Sequence, residues 1–238
     1  MIFRWTIGST NANGLDCLME SIKSFQRFYP DNEYYLFFNQ IERKVLSRFE
    51  KLNLKIIDQN NFIDDYKIKP KTGYQVHWKL YPTRVDISKH EIFIDNDLII
   101  IKKVNEIDLF IQNNNYNLIY QGLNNAYGKF NELIPNGLRI NTGIFGFKPN
   151  FDIKEEINNI KYWEGYFDEQ GLISYALSKS EYYIIPLTSI LILESNFNFS
   201  SMQHPLCCGY HFVGLNRLKE HFCWEDYKIL RKEWFKTI

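Results

Sequence analysis

The chain predicts an α/β fold: a mostly parallel central sheet flanked by helices, with a more mixed C-terminal half. Two observations carry this expectation. Apolar, β-branched runs alternate with segments of helical spacing through the first hundred residues. One such run, Glu91-Ile-Phe-Ile, ends directly in Asp95-Asn96-Asp97. Alternating strand and helix signals imply parallel strands joined by right-handed crossovers.

Ile2 to Ile7 reads as the first strand and Gly8 to Gly14 as a small polar loop. Leu15, Leu18, Met19, Ile22 and Phe25 recur at helical spacing, and Pro30-Asp31 ends that helix. Glu33 to Phe38 predicts a second strand, Ile41 to Leu52 a second amphipathic helix, and Leu54 to Ile57 a third strand. Asp58 to Thr72 reads as loop, and Gly73 to Val85 as helix with Pro82 kinking or ending it. After the strand before Asp95, Leu98 to Ile101 stays apolar. Asn113 to Asn117 and Gly122 to Asn131 are loop-like, and Arg139 to Phe147 is a strand closed by Pro149. A helix over Glu169 to Leu177, strands over Tyr182 to Ile185 and Ile190 to Leu193, and a terminal amphipathic helix over Trp224 to Phe235 complete the reading. The 238 residues suit a single domain, with 1–101 as a nucleotide-binding half and 102–238 as an acceptor-binding half.

Composition narrows the function. The chain is 45% apolar and 24% charged, which predicts a packed core and not disorder. Its 28 basic residues balance its 28 acidic ones, which argues against a nucleic-acid partner. No apolar run approaches the roughly 18 residues of a membrane span, and the N-terminus does not read as a signal peptide. Four cysteines, two of them adjacent, show no disulfide framework. A cytoplasmic protein without an integral membrane segment is expected, free to visit a membrane surface peripherally.

Asp95 and Asp97 are the strongest chemical signal. Residues two apart in an extended segment point the same way, so both carboxylates would face one site while Asn96 faces away or caps the turn. Open α/β sheets bind ligands at the carboxyl ends of their strands. Paired carboxylates suit a hard cation, Mn²⁺ or Mg²⁺, able to neutralise a diphosphate. Thr6, Gly8 and Ser9 close the first strand in a small polar loop.

An apolar strand ending in Asp-x-Asp resembles the metal motif of glycosyltransferases with the GT-A fold. Further segments follow in the order of glycosyltransferase family eight. Lys79-Leu80 is similar to an Arg-Leu pair near the donor, and Asn141-Thr142-Gly143 to the family's Phe-Asn-Ser/Ala-Gly strand. Phe167-Asp168-Glu169-Gln170 resembles its Gln-Asp-Gln-Asp segment beside the reacting carbon. Phe197-Asn198-Phe199 resembles its Phe-Asn-Phe, and His211 to Arg217 its His-x-x-Gly-x-x-Lys, with Arg217 in place of lysine.

The resemblance implies a nucleotide-sugar donor, a UDP-sugar foremost, a glycan or lipid-linked acceptor, and retention at the anomeric carbon. It implies a metal held by Asp95, Asp97 and His211. The donor would touch Thr6, Gly8, Ser9, Lys79, Asp95, Asn96, Asn141, Thr142, Gly214 and Arg217. Asp168 and Glu169 would be the catalytic carboxylates. Two other readings stand beside it. Haloacid-dehalogenase-like phosphotransferases also use Asp-x-Asp, there on the first strand with Thr or Ser following. His204, Cys207, Cys208, His211, His221 and Cys223 could instead build a zinc-stapled interaction module.

Overall fold

The structure is a computed structural model; it describes residues 1–59, 76–160, 165, 167–193, 205–213, 228 and 232. Its frame is a seven-stranded sheet in the order β3-β2-β1-β4-β7-β6-β8. The strands are β1 (Ile2–Ile7), β2 (Glu33–Phe38), β3 (Lys55–Asp58), β4 (Glu91–Ile94), β6 (Asn117–Gln121), β7 (Ile140–Phe147) and β8 (Tyr182–Ile185). Only β7 runs antiparallel to its neighbours. A second, three-stranded sheet joins β5 (Leu98–Ile100), β10 (Gly209–His211) and β9 (Ile190–Ile192), with β10 in the centre.

Alternation along the strands sends side chains to two cores. On one face Phe3, Trp5, Ile92 and Ile94 pack under α1 (Ala12–Phe28) and α2 (Asn105–Gln112). On the other, Phe93, Phe145 and Phe147 meet α3 (Lys154–Asn158) and α4 (Asp168–Ser178). The chain winds outward from β1 through β2 to β3, then returns to place β4 on the opposite side of β1. The carboxyl ends of β1 and β4 therefore flank the point where strand order reverses, the crevice where open sheets bind ligands.

Several local expectations are corrected. The Gly8–Gly14 loop is shorter, because Asn11 caps α1 by accepting from Gly14 N at 3.0 Å. Ile41 to Leu52 is not an α-helix but a 3₁₀ stretch over Arg43–Phe49; its two buried residues, Leu46 and Phe49, lie three apart, the 3₁₀ period. Of the expected helix from Gly73, the described part is a 3₁₀ turn, Val76–Leu80, ended before Pro82. The Gly122–Asn131 loop gives way to a 3₁₀ turn over Gly128–Leu133. The sequence reading missed α2, α3, β6 and β10. Of the expected terminal helix, Lys228 and Lys232 are described, both helical.

Candidate active site

Asp95, Asn96 and Asp97 form the turn between β4 and β5, not an extended segment, and Leu98 N closes it on Asp95 O at 3.3 Å. Asp95 N donates to Gly143 O at 2.7 Å, which fastens the turn to β7. The second sheet brings the third member. His211 lies opposite Leu98 in the β5–β10 ladder, and Phe212 N donates to Asp97 O at 2.9 Å. His211 Nε2 then stands 3.3 Å from Asp97 Oδ1 and 3.9 Å from Asp95 Oδ2.

One ligand atom from each of Asp95, Asp97 and His211 falls within 4.8 Å of the others. Among the described residues these three are the group able to hold a metal. Asp97 and His211 are buried, while Asp95 is partly open to solvent. Two carboxylate oxygens and an imidazole nitrogen form a donor set able to hold a divalent cation. Cys207 and Cys208 stand apart from it, Cys207 Sγ donating to Gly209 O. His204, His221 and Cys223 lie outside the described residues.

Lys79 organises the acidic side of the crevice. Its Nζ is 2.9 Å from Asp95 Oδ1 and 3.3 Å from Glu169 Oε1, and it donates to Thr142 O at 3.3 Å. Burial works against its charge, yet Asp95 and Glu169 together hold its pKa above the usual lysine range. Burial pushes the Glu169 carboxyl up to about 7, against the pull of Lys79 and with a push from Asp95.

Asp168 and Glu169 are adjacent on α4, so their side chains diverge by about 100°. Glu169 reaches Lys79 and also bonds the Thr142 side chain. Asp168 turns the other way. Its Oδ1 accepts from Lys129 N at 3.1 Å, its Oδ2 from Gly165 N at 3.2 Å, and Lys129 Nζ lies 3.8 Å away. Gly128 makes this approach possible: it has φ +52°, and a Cβ there would fall 2.2 Å from Asp168 Oδ1.

The remaining expected site residues spread along the same edge. Thr6, next to last in β1, lies opposite Phe37, with Gly8 and the exposed Ser9 just beyond the strand. Asn96 is buried in the turn. Asn141 Oδ1 accepts from Gly143 N at 2.7 Å, and Thr142 N donates to Gln170 Oε1 at 3.4 Å. Gly214, Arg217 and Phe197-Asn198-Phe199 lie outside the described residues. Sequence reasoning missed Asn39, Gln59 and Trp78, which meet at the carboxyl ends of β1 and β2. It also missed why Gly143 is glycine: the His211 ring occupies the space of its side chain. A glycine inside an apolar strand signals such a close approach.

No protein-family model and no curated protein matches this chain. Solved structures do. The galactosyltransferase LgtC, in complex with donor and acceptor sugar analogues, matches with a TM-score of 0.59 at 12% identity over 98% of this chain and 96% of that one. Mouse xyloside xylosyltransferase 1 in its apo form gives 0.57 at 13% identity over 92% and 100%. The glycosyltransferase GlyE of Streptococcus pneumoniae gives 0.55 at 14%, covering 99% of this chain but 63% of its own. At such identities the likeness establishes the fold, and that fold is the GT-A arrangement expected from the sequence.

Proposed function

We propose that the chain is a metal-dependent glycosyltransferase, moving a hexose-like sugar from a nucleotide-diphosphate sugar to a glycan or lipid-linked acceptor. The observation that carries this reading is the convergence of Asp95, Asp97 and His211 beside the crevice between β1 and β4. A divalent cation bound by these three would neutralise the diphosphate of the leaving nucleotide. The uridine donor and retention at the anomeric carbon come from the resemblance to family eight.

The protein's own residues then divide the work. Lys79 fixes the orientation of Asp95 and Glu169 through its two ion pairs. Glu169, buried at the crevice, is our candidate for the carboxylate facing the anomeric carbon, where positive charge develops during transfer. Asp168 has its oxygens committed to Lys129 and Gly165, so we assign it to holding the loops around α4. Asn141 and Thr142 would position the sugar, Arg217 and Gly214 the diphosphate, and Thr6, Gly8 and Ser9 the nucleoside. We read residues 1–101 as the nucleotide-binding half and 102–238 as the acceptor-binding half of one domain. Among the described residues no helix is long and apolar enough to cross a membrane; a cytoplasmic site, with peripheral access to lipid-linked acceptors, is part of the proposal.

A screen of nucleotide sugars for slow hydrolysis, with and without Mn²⁺, tests the reading. Release of a nucleoside diphosphate from one donor, dependent on the metal, is expected. Equal release in EDTA, or no release from any donor, would overturn it.

A further inference from the structure

The second half of the main sheet carries a cavity of about 370 Å³, within the roughly 300–1,000 Å³ of small-molecule sites. It is lined by Ile119 and Gln121 of β6, Ile184 of β8, and Gly137, Leu138 and Arg139 ahead of β7. Ile119 belongs to the core that α4 covers, and alternation puts Gln121, two residues on, on the same face. β8 is the last strand in the sheet order, so the cavity lies at the sheet's edge, where Ile184 is 45% exposed.

The lining has two parts. Ile119, Leu138 and Ile184 are branched aliphatic side chains, and the lining residues include no aromatic ring on which a sugar could stack. Beside them stand two donors. Gln121 Oε1 accepts from Leu187 N at 3.2 Å, which assigns the other amide atom as NH₂, and no acceptor among the described residues takes that group. Arg139 is exposed and donates to Leu123 O at 3.2 Å, and no carboxylate among the described residues pairs with it. A guanidinium with spare N–H groups suits a phosphate. An aliphatic slot beside an uncompensated positive charge is complementary to a phosphate that carries a hydrocarbon chain.

We propose that this cavity seats the carrier of a lipid-linked acceptor: its phosphate on Arg139 and Gln121, and the first carbons of its chain against Ile119, Leu138 and Ile184. This rests on the transferase reading above and names the class of acceptor. The position fits the reaction. Gln121 lies opposite Ile140, two residues before Thr142, whose side chain bonds Glu169. From Arg139 to Thr142 is three residues, roughly 10 Å of extended chain. A carrier held by Arg139 would thus bring the sugar linked to its phosphate toward Glu169.

The test is calorimetric titration of the full chain with inorganic phosphate, with n-butyl, n-hexyl and n-octyl phosphate, and with hexanol. Affinity should rise about 4-fold for each CH₂ added until the cavity is full. Hexyl phosphate should bind on the order of 10-fold more tightly than hexanol, and Arg139→Gln should remove that difference. Ile184→Asp should remove the dependence on chain length at an unchanged melting temperature, because its side chain is half exposed. Equal affinity across the chain lengths, or undiminished binding of hexyl phosphate to Arg139→Gln, overturns the proposal. Maltose binding as tightly as hexyl phosphate also overturns it, giving the cavity to a glycan. So does a dimer in light scattering that Ile184→Asp dissociates, which gives the face to a second copy. These titrations contain neither donor nor metal, so their failure leaves the transferase reading to its own test, the metal-dependent release of a nucleoside diphosphate.

Discussion

The His211 ring fills the place where Gly143 would carry a side chain: a Cβ on residue 143 would fall 2.2 Å from His211 Cε1 and 2.6 Å from Nδ1. Gly143→Ala should therefore push the imidazole away from Asp95 and Asp97. Overpacking of this kind typically costs about 1–3 kcal/mol, so the variant should still fold. Its stabilisation by Mn²⁺ should be largely lost, as measured by melting temperature with and without the ion. An unchanged Mn²⁺ response would mean that His211 is not a ligand or that it moves without consequence.

The divergence of Asp168 and Glu169 separates a stability effect from a catalytic one. Asp168→Ala removes the acceptors of Lys129 N and Gly165 N, and hydrogen bonds to a charged group are each worth about 1.5–3 kcal/mol. A clear drop in denaturation midpoint is expected. Glu169→Gln keeps the size and one acceptor for Lys79, so it should fold well yet lower turnover roughly 10²-fold or more. Wild-type turnover in Glu169→Gln would remove Glu169 from the reaction.

Much of this could be read from the sequence because the signals are local. The apolar runs of β1, β2, β4 and β7 and the spacing of Leu15, Leu18, Ile22 and Phe25 are complete within their own segments. Asp95 and Asp97 stand out because carboxylates end an apolar run. What escaped depends on distant chain. β10 is three residues long and is held by pairing with β5 and β9, so nothing around His211 marks it as a strand. The relay from Trp78 through Gln59 to Asn39 joins positions that only the return of the chain to β4 brings together. Asp168 and Glu169 are chemically alike in sequence; the Gly128 turn and the position of Lys79 are what set them apart.

Both aspartates of the turn should be needed for activity. Asp95→Asn and Asp97→Asn preserve shape while removing charge, and each should reduce turnover by roughly 10²-fold or more. Asp97→Asn should weaken Mn²⁺ binding more cleanly, because Asp95 is also the partner of Lys79 and its loss disturbs that ion pair. Titration of Mn²⁺ against the two variants checks the order. Full activity of either variant, or of the wild-type chain in EDTA, would contradict the metal assignment.

Glu169 gives stability a distinctive dependence on pH. Its carboxyl binds a proton at about 7 in the folded chain, against an ordinary value of 4.5. Between those values the folded state holds more protons than the unfolded one, so raising the pH lowers stability. The contribution is full below 4.5 and gone above about 7. Lys79 keeps its charge throughout, since its pKa lies above the usual lysine range. Denaturation midpoints measured in EDTA from pH 4.5 to 7.5 should therefore fall more steeply for the wild-type chain than for Glu169→Gln, which cannot titrate. EDTA matters here, because a cation held at the neighbouring Asp95 would favour the ionised carboxylate and shift the window down. Identical slopes in the two proteins would show that Glu169 is ionised across the whole range, with Lys79 outweighing its burial.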